Sequence, residues 1–178
     1  MKEMEEQLHN IYIQCLQELK NIGIDLRQKD KIGEILITIN NKSKKRYGVC
    51  KQEEPDISTR YIEKKGKRKY IKYAKYNKHR IEISAWVMQL DESIVKNTII
   101  HELIHCIPNC NNHGKMFKKY ASYINSKLGY DIKSCGSKRE DYKKSNIEYN
   151  EQTNYKYIIR CKKCGQIYYR QRRNKNLE

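Results

Sequence analysis

The sequence predicts an α+β fold. A small, mostly antiparallel sheet is packed by an N-terminal helix and by a second helix carrying HELIH, and a short β-rich tail follows. Three observations predict it. Apolar residues recur at helical spacing in two well-separated segments, short β-branched runs lie between them, and alternating Tyr and Ile flank a CKKCG knuckle near the C-terminus.

In chain order, Met4, Leu8, Ile11, Cys15, Leu16 and Leu19 form one stripe of an amphipathic helix over 4–20, with Gly23 as its stop. Residues 34–39 (EILITI) read as a strand, and the polar NNKSKK stretch reads as a hairpin turn into a second strand over 46–51. Residues 52–78 form a polar, strongly basic insert without a clear period, and a third strand is expected at 79–84. A helix covers 92–107, with Asp91 as N-cap and Pro108 just past its end. Another covers 114–127 and stops at Gly129. The organisation expected is a main domain over 1–134, a polar linker over 135–152 and a basic tail over 153–178.

Composition narrows the function classes. The 178 residues include 38 Lys and Arg against 21 Asp and Glu, a formal net charge of +17. No apolar run reaches the ~18 residues of a membrane span, and the N-terminus lacks the apolar segment of a secretory signal. A soluble cytoplasmic protein with an anionic partner and no membrane partner is expected. Without a secretory signal, the 7 Cys read as metal ligands or reduced thiols rather than a disulfide framework.

HELIH at 101–105 carries the chemistry. His101 and His105, four residues apart, lie one turn apart on one helix face, so both imidazoles can reach one metal ion. Glu102 lies beside that face, where a carboxylate can take a proton from a water on the metal. The helix is expected to bury Ile99, Ile100, Leu103, Ile104 and Ile107 and to turn the His/Glu face to a cleft at the sheet edge. A catalytic zinc needs a third protein ligand and an open fourth position. His113 is the natural third, because Pro108 ends the helix and the turn at 110–112 can bring the chain back. Cys106 points away from the pair by helix angle, whereas Cys110 stays open as an alternative ligand.

HELIH, a short turn and NHGKMFKKYASYIN together resemble the SprT-like metalloprotease family, whose motif is HExxH followed by a third His in an (N)HG…F setting. The resemblance runs over roughly 5–173. It implies a zinc endopeptidase with His101, His105 and His113 as ligands and Glu102 as general base. The family is similar to Spartan, a DNA-dependent protease that removes proteins crosslinked to DNA, which implies protein substrates held on DNA. Two departures stand out. Seven residues separate His105 from His113, fewer than in many relatives, so the loop over the cleft is expected to be reduced. The tail resembles half of a zinc ribbon. Cys161 and Cys164 supply two of the four ligands of a closed structural site, and no second CxxC follows. Three readings of this second metal site stand: the sequence stops before that pair, Cys135 or a second chain completes the site, or the knuckle is empty.

Lys64, Lys65, Lys67, Arg68, Lys69, Lys72 and Lys75 interleave with Tyr70, Tyr73 and Tyr76, and Arg170, Arg172 and Arg173 follow Tyr168 and Tyr169. Cations neutralise phosphates and Tyr rings stack on unpaired bases, so these clusters predict DNA binding that is mostly independent of sequence. Two other function classes are carried. A metal-dependent ribonuclease also groups three histidines on a helix and loop, but its second interval is five residues rather than seven. A non-catalytic zinc-stabilised nucleic-acid-binding module has no use for Glu102.

Overall fold

The computed structural model describes residues 2–149 and 156–170. These residues form a mixed α and β chain with five helices and three small sheets, divided into two compact units, Met1–Ile147 and Glu148–Glu178. No helix among the described residues is long and apolar enough to cross a membrane.

In the first unit, helix α1 (Lys2–Asn21) buries the expected stripe, Leu8, Ile11, Cys15, Leu16 and Leu19, and adds Tyr12, while Met4 is half-buried at the margin. Gly23 stops it with φ 85, which lets the Gly23 and Ile24 amides donate to Lys20 O and Leu19 O at 3.0 and 2.9 Å. A single turn, α2 (Lys29–Ile32), leads to strand β1 (Glu34–Asn40).

The main sheet corrects the expected pairing. Strands β1 and β2 (Gly48–Pro55) do not form a hairpin, because β5 (Tyr76–Ser84) lies between them in the order β1-β5-β2. The pair β1 and β5 is parallel and the pair β2 and β5 antiparallel, so this sheet is mixed rather than mostly antiparallel. Placing β5 centrally buries its alternating His79, Ile81 and Ile83 under the helices, with Ile35, Ile37 and Ile39 of β1 half-buried beside them. The opposite face carries ion pairs, Lys51 with Glu82 and Arg80 with Glu53.

The basic insert is ordered too. Strands β3 (Arg60–Lys65) and β4 (Arg68–Tyr73) form an antiparallel hairpin about Gly66, whose φ of 59 suits the tight turn. It packs so little of itself that no burial period marks it.

Helix α3 (Glu92–Ile104) is capped by Asp91, whose carboxylate accepts from the Ser93 amide at 2.9 Å. It ends at Ile104, earlier than the spacing predicts, and continues as turns to Cys110. The residue before a proline is disfavoured in the helical region, so the helix stops ahead of Pro108, and Asn109 takes φ 65. Helix α4 (Lys115–Leu128) stops at Gly129, φ 72. The segment expected as a linker contains helix α5 (Lys138–Lys144) within the first unit, held by Trp86 stacked on Tyr142 and by Tyr47 donating to Asp141.

The second unit is a hairpin of β6 (Tyr157–Arg160) and β7 (Ile167–Arg170), with the CKKCG knuckle at its turn.

Candidate metal centre

Helix α3 is buried over most of its length: Ile94, Val95, Ile99, Ile100, Leu103 and Ile104 are enclosed, and so is Thr98. Glu102, expected on an open face, is itself buried at 6% exposure. His101 and His105 remain half-buried, the first in the last turn of α3 and the second as its C-cap.

Both imidazoles are oriented by backbone carbonyls. His101 Nδ1–H donates to Lys133 O at 2.9 Å and His105 Nδ1–H to Cys110 O at 2.7 Å. This arrangement fixes the tautomer and frees each Nε2. His113 completes the set, its Nε2 lying 2.9 Å from His101 Nε2 and 3.1 Å from His105 Nε2. Tetrahedral Zn–N bonds of about 2.05 Å put nitrogens about 3.3 Å apart, so these donors converge on the volume of one ion. Burial lowers the pKa of all three. For His101 it falls to about 4, the neighbouring imidazoles adding to the effect, and neutral imidazole is the form that binds metal. Cys110 is buried and contributes its carbonyl, not its thiol. Cys106 lies in a separate cluster.

Sequence reasoning gave no role to Phe117. Its buried ring lies 4.8, 4.8 and 4.7 Å, centroid to centroid, from His101, His105 and His113, and forms the floor under all three. The F of the HG…F motif is the signal that marks it.

The turn bringing His113 back is pinned from two strands. Asn111 Nδ2 donates to Tyr73 O at 3.0 Å, the Asn109 amide donates to Ala74 O at 3.0 Å, and Gln52 Nε2 donates to both His105 O and Asn111 Oδ1. Residues 73 and 74 close the β3–β4 hairpin, so the basic hairpin and the His113 turn share hydrogen bonds.

Glu102 faces the first residue of β2. A Cβ on Gly48 would stand 2.9 Å from Glu102 Oε1, so any larger residue there would require the carboxylate to shift. The Cys50 amide donates to Glu102, yet burial dominates and pushes its pKa up to about 8. His101 and Glu102 line a cavity of about 460 Å³ that also includes Arg46, Gly48, Lys133 and Glu140. The cleft thus opens at the sheet edge, as expected, and the 131–144 segment supplies its far wall.

The remaining candidates are spread apart. Lys64, Lys67, Arg68, Lys69, Tyr70 and Lys72 are exposed on the β3–β4 hairpin, with Lys65 at its end and Tyr73 half-buried at its root. Lys75 is instead engaged by Asp30 O and Asp56, and Tyr76 is half-buried against Tyr73 and His79. Arg170 is exposed in β7, whereas Arg172 and Arg173 lie outside the described residues. Cys161 and Cys164 bracket the knuckle, and among the described residues no cluster of three potential ligands includes them.

Comparison with curated proteins and with solved structures gives no significant match. A family model described as the SprT-like family matches residues 13–141, which hold the three histidines, Glu102 and all of the cavity lining but Lys144, and the chain belongs to that family.

Proposed function

We propose that the protein is a zinc-dependent endopeptidase recruited by DNA and acting on DNA-bound or DNA-crosslinked proteins. The observation that carries the hydrolytic part is the convergence of three Nε2 atoms beside a buried carboxylate at the wall of a cavity. The donor set fits zinc, since three neutral imidazoles leave one position of a tetrahedral ion for reactants. When bound there, the ion would polarise a carbonyl and make water acidic enough to attack near neutral pH.

The chain's own residues supply the rest. The Lys133 and Cys110 carbonyls hold His101 and His105 in the binding tautomer, and Phe117 keeps water from beneath the three rings. Glu102 accepts the proton of the attacking water on its carboxylate and delivers one to the departing amine nitrogen. Gly48 lets it stand close to the edge strand β2, along which an extended peptide can add as a further strand.

DNA recruitment is supported by the hairpin. Its register places Tyr61, Arg68, Tyr70 and Lys72 on one face, a surface that pairs cations with stacking rings.

The test incubates zinc-loaded protein with casein and with a DNA-binding protein, with and without single-stranded DNA, beside Glu102→Gln. DNA-stimulated cleavage that Glu102→Gln abolishes is the expected result. RNA cleavage without proteolysis would overturn the reading in favour of a nuclease, and zinc binding with neither activity would leave a binding module.

A further inference from the structure

We propose that Cys50, His79 and Cys106 form a second, buried site for a thiophilic cation of the Zn2+ type, clamping the end of α3 to the sheet. The ligands come from β2, from β5 and from the turn after α3, and their donor atoms all lie within 4.8 Å of one another.

The spacing suits a coordination site and is too long for a disulfide. Cys50 Sγ and Cys106 Sγ are 3.7 Å apart. Two Zn–S bonds of about 2.3 Å at a tetrahedral angle span about 3.8 Å, whereas a disulfide requires about 2.05 Å. His79 Nδ1 lies 4.0 Å from Cys50 Sγ, within about half an ångström of the S–N span in such a site. The imidazole is already oriented for coordination, since His79 Nε2–H donates to Ile32 O at 2.8 Å and leaves the Nδ1 lone pair turned toward the sulfurs. Carbonyls hold His101 and His105 in the same manner, with the two ring nitrogens exchanged.

Burial argues in the same direction. His79 is 1% and Cys106 2% exposed. A core built only for packing favours an aliphatic side chain at position 79, facing Ile81 and Ile83 on the same strand, because an imidazole brings two polar nitrogens that must be satisfied. Binding would release the two thiol protons to solvent, and a Cys2His set leaves one position for an exogenous ligand.

Cys106 directly follows His105, so the ion would fasten the last turn of α3 to both strands and hold the His101, His105 and His113 cluster in register. The site stands on its own geometry, whether or not that cluster hydrolyses peptides.

The test uses the whole 178-residue chain carrying Cys161→Ser and Cys164→Ser, which removes the tail knuckle, loaded with zinc or with cobalt(II). Two zinc ions per chain and a near-ultraviolet thiolate-to-cobalt absorption are expected. Cys50→Ser with Cys106→Ser should abolish the absorption and leave one zinc, whereas His113→Ala should keep the absorption. If the double variant does not fold, Cys50→Ser alone, isosteric at the least buried ligand, should halve the absorption. A single zinc with no thiolate absorption, an absorption indifferent to Cys50, or a Cys50–Cys106 disulfide in the isolated protein would overturn the proposal. None of these outcomes depends on proteolysis.

Discussion

At the scale of single residues, Gly48 and Glu102 are one design. The space where a Cβ would stand at position 48 is taken by the carboxylate, 2.9 Å from Oε1 and 3.0 Å from Cγ. Gly48→Ala must therefore push Glu102 from its place, and in the proposed role of general base a carboxylate displaced by up to about one ångström loses up to about 100-fold in rate. We expect kcat to fall on that scale with zinc content unchanged, measured by steady-state proteolysis and metal analysis on the same sample. The burial that makes Glu102 useful also makes it costly. In the metal-free protein its pKa stands at about 8 rather than 4.5. The unfolded chain ionises this group near the lower value, so folding loses stability as pH rises from 4.5 to 8, and the loss is complete above 8. Glu102→Gln removes that ionisation. In the presence of chelator it should stabilise the fold by roughly 3 kcal/mol at pH 7, several degrees in Tm, and make no difference near pH 4. A Tm at pH 8 lower than that of the unsubstituted protein would refute this account of Glu102.

At the scale of elements, local order is legible in the sequence and distant pairing is not. The α1 stripe, the Asp91 cap, the Gly129 stop and the spacing of His101, His105 and His113 all concern residues within a few turns of each other, where periodicity and capping act directly. The strand order is hidden, because the polar run after β1 resembles a hairpin turn and nothing nearby announces that β5 will intervene. Helix α5 is hidden because six charged residues around a single Tyr show no apolar stripe, and it is held by contacts from Tyr47 and Trp86 far along the chain. Cys50, His79 and Cys106 are illegible as a group for the same reason, since Cys50 lies 29 residues from His79 and 56 from Cys106. The basic insert conceals a hairpin because exposure on both faces erases the two-residue period. Its root has a further consequence. Asn111 links the His113 turn to Tyr73 and, through Gln52, to β2. Groups that orient metal ligands carry about 10- to 100-fold of affinity, so Asn111→Ala should weaken zinc binding at the histidine cluster by about 10-fold, read by competition with a chromogenic chelator. An unchanged affinity would mean that the turn holds His113 without its anchor.

At the scale of the whole molecule, charge and chemistry are kept apart. The net charge is +17, yet residues 101–113, HELIHCIPNCNNH, contain one Glu and no Lys or Arg. Burial reinforces the separation, with Glu102 enclosed and the hairpin cations exposed. A protease recruited by DNA gains from this division. Under the proposed recruitment phosphates would be drawn to the hairpin, while the segment that bears the histidines and Glu102 adds no cation of its own to Arg46 and Lys133 in the cavity wall. Recruitment and hydrolysis should then be separable by substitution. Replacing Lys64, Lys67, Arg68, Lys69 and Lys72 with Gln removes five cations from an exposed hairpin that contributes no buried core residue. For single-stranded DNA each phosphate pairing removed lowers the slope of log affinity against log salt by about 0.7, so the slope should fall by about 3.5. Cleavage of casein without DNA should persist at its original rate, and stimulation by DNA should vanish. Fluorescence anisotropy across a salt series, run beside both cleavage assays, measures the two effects on one preparation. Unchanged stimulation would place the DNA-binding surface elsewhere on the chain, and a fall in the DNA-independent rate would show that the hairpin serves the histidine cluster directly.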